Sequence, residues 1–123
     1  MAIVDDDPLI RRSLSRAFGA FDIQVESFSS AESFLGHASS SEPSCIVLDI
    51  QLGGLSGFDL QDVLESRGTV PPPIVFISAH TDMVEHGSRI RRAHGFLHKP
   101  FDIDELVALI RPLLRSVSLP VEG

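Results

Sequence analysis

Cysteine and lysine are nearly missing from this chain. The single thiol, Cys45, excludes an intramolecular disulfide and a metal site built from several cysteines. A lone thiol in an apolar run reads as a core residue of a protein kept in a reducing compartment, so the expected location is the cytoplasm. Positive charge is short as well: 10 basic residues stand against 17 acidic ones, for a net charge of −7. That balance argues against nucleic acid as a direct partner, because neutralising phosphates needs a surplus of Lys and Arg, and against an anionic membrane surface. No run approaches the ~18 apolar residues of a membrane span, and no charged-then-apolar signal segment opens the sequence. Internal repeats and low-complexity linkers are absent too. Of the basic residues, Lys99 is the one lysine; the others are arginines.

What is present is ordinary globular material. The chain is 43% hydrophobic and 22% charged, enough to build a core. Its 123 residues correspond to one domain at roughly 100–200 residues each. Short apolar runs alternate with amphipathic ones. Ala2-Ile3-Val4 is a short first strand ended by Asp5-Asp6-Asp7. Pro8 opens a helical pattern at Leu9, Ile10, Leu14, Ala17 and Phe18, and Asp7 beside it is read as the helix cap. Ile23-Gln24-Val25-Glu26 alternates like a strand, and Glu32 follows Ser29 at capping-box spacing ahead of a short helix with Ala31, Phe34, Leu35 and Ala38 on one stripe. Cys45-Ile46-Val47-Leu48 ends at Asp49, and a loop, Gly53 to Gly57, leads to a helix face at Leu60, Val63 and Leu64. Pro71 to Pro73 precede Ile74-Val75-Phe76-Ile77, which ends at Ser78. A weaker helical stretch holds Met83, Val84 and Ile90, and Gly95-Phe96-Leu97-His98 is a fifth strand ended by Lys99-Pro100. The last helix carries Ile103, Leu106, Val107, Ile110 and Leu113, with a kink or stop expected at Pro112. The domain is expected over 1–116, with a tail at 117–123.

Strand and helix thus alternate five times, and three of the strands are continuous apolar runs. Strands of that kind belong in a parallel sheet with helices on both faces, so the expected fold is α/β, an open doubly wound sheet. Ligands of such sheets bind outside the carboxyl ends of the strands. Four strand ends here deliver Asp5 and Asp6, Asp49, Ser78 and Lys99 to that one edge. Converging carboxylates repel: two unit charges about 4 Å apart cost roughly 1 kcal/mol in water and more where water is scarce. A hard divalent cation relieves the repulsion, and Mg²⁺ suits one or two carboxylates plus waters and a phosphate oxygen. Lys99 can cancel charge on a phosphoryl group, Ser78 can hydrogen-bond it, and Asp49 can be the nucleophile that forms an aspartyl phosphate.

Four motifs in this order, each ending a strand, resemble the receiver domain of two-component response regulators. They are Ile3-Val4-Asp5-Asp6-Asp7-Pro8; Leu48-Asp49 followed by Leu52 and Leu55-Ser56-Gly57; Ile77-Ser78-Ala79-His80; and Phe96-Leu97-His98-Lys99-Pro100-Phe101. The resemblance covers nearly the whole chain. It implies a single (βα)5 flavodoxin-like sandwich with a parallel five-stranded sheet in order 2-1-3-4-5. It further implies phosphorylation of Asp49 by a histidine kinase or phosphotransfer protein. Mg²⁺ or Mn²⁺ would be held by Asp6, Asp49 and the Gln51 carbonyl directly and by Asp5 mainly through water. Ser78 and Lys99 would contact the phosphoryl group, Phe96 matches the switch aromatic, and Lys99-Pro100 matches a bond that is typically cis. Gln51 and His80 each follow a strand-end site residue by two positions and are expected to border the phosphoryl group and tune its lifetime. Such a domain is a signalling receiver rather than an enzyme, assisting its own Mg-dependent phosphorylation and dephosphorylation. Its output partner or homodimer contact would use the surface of the fourth helix, fifth strand and fifth helix. Two features depart from the family pattern: Gly53 stands where a proline is usual, and the stretch from Ser78 to Lys99 is one residue shorter than is common.

Other functions fit less well. A phosphatase or phosphotransferase of the haloacid-dehalogenase kind, using an aspartyl phosphate, usually places a second Asp two residues after the nucleophile as acid and base; here that position is Gln51, which does not titrate. A phosphorylation-independent receiver-like interaction module would be expected to lack Asp6, Asp49 or Lys99, and none is missing. A flavodoxin would need a hydroxyl-rich phosphate loop where Asp5-Asp6-Asp7 would repel phosphate. The histidines show no recognised zinc spacing.

Overall fold

Strands that are apolar on both sides have to be covered on both sides, and the sheet meets that demand. The computed structural model describes residues 1–37, 43–67, 70–79, 87 and 90–117. These comprise β1 (Ala2–Val4), α1 (Pro8–Ala20), β2 (Glu26–Phe28), α2 (Ala31–Gly36), β3 (Ile46–Asp49), α3 (Gly57–Glu65), β4 (Ile74–Ser78), β5 (Gly95–His98) and α4 (Ile103–Val117). The expected fourth helix falls largely outside the described residues; Gly87, Ile90 and Arg91 from it are helical. The expected fifth helix is α4. All strands are parallel, in the order β2-β1-β3-β4-β5, as the resemblance implied.

The register aligns one row across the sheet: Phe28, Val4, Leu48, Phe76 and Phe96. That row lies on the face covered by Ala31 of α2 and by Phe58, Leu60 and Leu64 of α3, together with Ile90. The alternate strand residues Ile3, Val47, Val75 and Ile77 turn to the other face. There Leu14 and Phe18 of α1 and Leu106, Val107 and Ile110 of α4 close over them. Burying each large side chain contributes about 1.5–3 kcal/mol, so the two faces carry the stability. Cys45 sits in the second face at 0% exposure, and burial pushes its thiol up to about 11, as expected of a core thiol.

Local chemistry sets the helix starts. Asp7 caps α1, its carboxylate accepting from Leu9 N at 2.9 Å, with Pro8 in the first turn. Ser56 and Asp59 form a reciprocal capping box at the start of α3. Gly57 lets that helix start lie against the end of β3, because a Cβ there would fall 2.5 Å from the Asp49 carbonyl oxygen.

Three local expectations are corrected. β2 begins at Glu26 rather than Ile23: Ile23 N bonds back to Phe18 O at 3.0 Å in the turn after α1, so the chain joins the ladder only where Glu26 pairs with Ala2. Ser30, not Ser29, caps α2, accepting from Ser33 N at 3.0 Å, and Glu32 reaches away to Leu55 N instead of closing a capping box. Pro112 does not stop α4, which continues to Val117. Proline removes one donor, but Leu113 and Leu114 stay packed against the same core as Leu106 and Ile110, and that burial holds the helix together. Residues 118–123 of the expected tail, and Ala38, lie outside the described residues. Among the described residues no helix is long and apolar enough to cross a membrane.

Candidate functional site

The row of apolar residues across the sheet fixes where the polar edge begins. Asp5 and Asp49 are each the next residue after it on β1 and β3, Ser78 is the second on β4, and Lys99 the third on β5. Parallel strands in this register bring the four ends to one place. Asp5, Asp6 and Asp49 each offer a carboxylate oxygen, and these oxygens lie within 4.8 Å of one another. Asp5 is 0% exposed and Asp49 5%, while Asp6 faces solvent.

The two buried carboxylates are held alike. Asp5 Oδ1 accepts from Asp7 N at 2.9 Å, and Asp49 Oδ1 accepts from Gln51 N at 3.0 Å, in each case the amide two residues on. Each remaining oxygen goes to the same ammonium: Lys99 Nζ lies 2.9 Å from Asp5 Oδ2 and 3.3 Å from Asp49 Oδ2. A strand that ends in Asp followed by a tight turn supplies the first kind of bond, and the single lysine supplies the second. Arg11 adds a bond from the first helix, Nη1 donating to the Asp5 carbonyl at 2.7 Å.

Charge is out of balance here by ordinary standards. Burial pushes the Asp49 carboxyl up to about 6; the Asp5 charge adds to the rise, while the Gln51 amide and Lys99 oppose it. Burial works against the Lys99 ammonium, but its hydrogen bond to Asp5 and the charges of Asp49 and Asp5 outweigh burial, and its pKa is raised. The donor set, three carboxylates crowded at the open end of a sheet with one of them exposed, fits a hard divalent cation.

Asp5, Asp6, Asp49 and Lys99 are therefore together, as the sequence suggested. Ser78 is fully buried at the neighbouring strand end, with its carbonyl accepting from Lys99 N at 2.7 Å. Gln51 is exposed, and its backbone N–H donates to Asp49. Phe96 is half-buried and packs with the face that carries Phe76. The Lys99–Pro100 peptide is cis. His80 lies outside the described residues. The sequence motifs give no hint of the Arg11 contact, and for Glu32 they suggest only a helix cap. For Arg11 the signal lies outside them, in its place one turn into the helix that follows the acidic cluster; for Glu32 nothing local distinguishes this contact from a cap.

This geometry defines an α/β domain centred on buried aspartates at one sheet edge, and comparison with known proteins places it in a family. The model of the response regulator receiver domain matches residues 1–111. The response regulator TodT of Pseudomonas putida is 37% identical over 114 residues, covering 92% of this chain and 50% of TodT. Nodulation protein W of Bradyrhizobium diazoefficiens is 38% identical over 109 residues, covering 85% of this chain and 46% of that protein. Among solved structures, a response regulator receiver protein from Pseudoalteromonas atlantica superposes with a TM-score of 0.85 at 25% identity, over 95% of this chain and 98% of that one. The chain belongs to the response regulator receiver domains of two-component systems, a family of signalling modules rather than enzymes. It spans about half the length of the curated relatives TodT and nodulation protein W.

Proposed function

We propose that this domain accepts a phosphoryl group on Asp49 from a histidine kinase or phosphotransfer protein in the cytoplasm, and that the change switches an output surface. The observation that carries the proposal is the shared ammonium: Lys99 bridges two buried carboxylates, one of which, Asp49, ends the central strand β3 and borders the exposed Asp6. Mg²⁺ or Mn²⁺ would be held by Asp6, Asp49 and the Gln51 carbonyl, with Asp5 acting through water, and when bound would neutralise charge on the phosphoryl oxygens.

The chain's own residues do the rest. Asp49 Oδ forms the new P–O bond as the P–N bond of the phosphohistidine breaks, its electron pair returning to the imidazole. Lys99 exchanges its contact with Asp49 Oδ2 for a phosphoryl oxygen and keeps Asp5. Ser78 hydrogen-bonds the same group from the end of β4. Phe96 on β5 moves with it, biasing two states of the surface made by the stretch before β5, β5 itself and α4. That surface would meet an output partner or a second copy. Gln51 and His80 would border the phosphoryl group and set its lifetime.

Incubation with acetyl phosphate and Mg²⁺, followed by mapping of the acyl phosphate, is expected to place the label on Asp49. Asp49→Asn should abolish it, while Ser78→Ala should still be labelled but lose its response in a dimerisation or output assay. Labelling of Asp49→Asn at the wild-type level would overturn the assignment.

A further inference from the structure

The loop after β3 carries Gln51 and then two adjacent glycines, the most permissive residues a chain can place there. Its ends are fixed: Ile50 N donates to Ile77 O at 3.0 Å, and Gly57 N donates to Ile50 O at 2.9 Å. Between them Gly53 and Gly54 are exposed, and Gly54 has φ +80°. A side-chain hydrogen bond reaches this stretch from a distant part of the chain. Glu32, in the first turn of α2 and 23 residues away, accepts from Leu55 N through Oε2 at 3.0 Å. The carboxylate lies so close over the loop that a Cβ at position 54 would fall 2.5 Å from Oε2. The Leu55 amide, ahead of the Glu32 amide itself, holds the Glu32 carboxyl below its usual value.

We infer that Glu32 is a positioning residue for the phosphoacceptor site: its carboxylate clamps the Gly53–Gly54–Leu55 arc and thereby sets the backbone of Gln51. The inference deepens the phosphoacceptor reading and rests on it. Without the clamp the glycine pair samples other conformations, and ordering the loop is charged against cation binding. The half-buried Leu52 and Leu55 anchor the loop to the core, but apolar contacts are non-directional and leave the backbone between them free to pivot. The carboxylate supplies the direction.

The test uses Mg²⁺ itself, titrated calorimetrically into the whole chain, together with amide exchange at Leu55 measured without metal. Glu32→Ala should bind Mg²⁺ about three- to tenfold more weakly, the worth of one net hydrogen bond, and should speed exchange at Leu55 by a similar factor. Glu32→Gln keeps an oxygen acceptor while losing the charge, so it should return to within about twofold of wild type in both measurements. A role in fold stability alone would shift melting and leave Mg²⁺ affinity unmoved. Equal Mg²⁺ affinity in Glu32→Ala and wild type, or unchanged exchange at Leu55, would overturn the clamp. Equal weakening in Glu32→Gln and Glu32→Ala would do so too, since charge alone would then explain it. A wild-type chain that takes up no Mg²⁺ would overturn the underlying phosphoacceptor reading, and the metal-free exchange at Leu55 separates that failure from failure of the clamp.

Discussion

The middle of the sheet and its carboxyl edge are built on opposite terms. In the middle, Val4, Leu48 and Phe76 stand side by side at 0% exposure in an apolar row within one hydrophobic cluster, so each contact supports the next. One residue further on, Asp5 and Asp49 are just as buried and repel each other, and a single ammonium reconciles them. The contrast teaches that the site draws on stability supplied by the core. The edge stays ordered because strands fixed by their apolar rows leave it no alternative.

The largest expected break comes from removing the reconciling charge. Lys99→Ala should destabilise the metal-free protein by about 2–4 kcal/mol near neutral pH, since truncating one partner leaves buried carboxylates uncompensated. Adding Asp49→Asn to that variant should restore a good part of the loss, because repulsion with Asp5 then disappears. Urea unfolding of the two variants measures both steps. A Lys99→Ala protein as stable as wild type would erase the distinction between edge and core.

Acidity sharpens the same contrast. Asp49 lies near 6 in the folded protein against 3.8 for the ordinary carboxyl. A group raised on folding contributes stability in its protonated form, complete below the unfolded value and lost as pH rises through the folded one. The unfolding free energy of wild type minus that of Asp49→Asn should therefore fall by about 1–3 kcal/mol between about pH 4 and pH 7. A flat difference across that window would mean that Asp49 is not penalised by its surroundings.

The smallest of these effects concerns the cation. Mg²⁺ at ten times its Kd should stabilise wild type by about 1.4 kcal/mol, a rise of roughly 3–6 °C in Tm for a domain of this size. Monovalent salt at matched ionic strength should not reproduce it. Asp6→Ala should melt slightly higher than wild type without metal and lose most of the Mg²⁺ increment. Equal increments in both proteins would separate the acidic cluster from the metal site.

Most of the architecture was legible because central parallel strands have no polar face to hide. Ile46 to Leu48 and Ile74 to Ile77 announce themselves as apolar runs, and the polar residue that ends each run, Asp49 or Ser78, stands at the carboxyl edge beside the carboxylate cluster. The edge strand β2 was misplaced because its pattern belongs to two structures at once: Ile23 and Val25 alternate and pack on the α1 and α4 side, yet Ile23 still bonds to α1. Pro112 misled because its local cost is outweighed by packing elsewhere on the helix. The Glu32 and Arg11 contacts were invisible for a different reason. Each satisfies a backbone group, Leu55 N and Asp5 O, whose need for a partner exists only once the turns have formed. Asp6 and Asp5, adjacent and identical in sequence, part ways for the same reason: one turns to solvent, the other inward to Lys99.

The buried thiol has a practical consequence. The chain contains no Trp and no Tyr, so it offers little intrinsic fluorescence. Its one cysteine is sealed in the core, and burial has pushed the thiol up to about 11. A thiol in that state is almost inert toward disulfide reagents until the domain opens. The rate at which Cys45 is captured therefore clocks the excursions that expose the face it lines, without any added label.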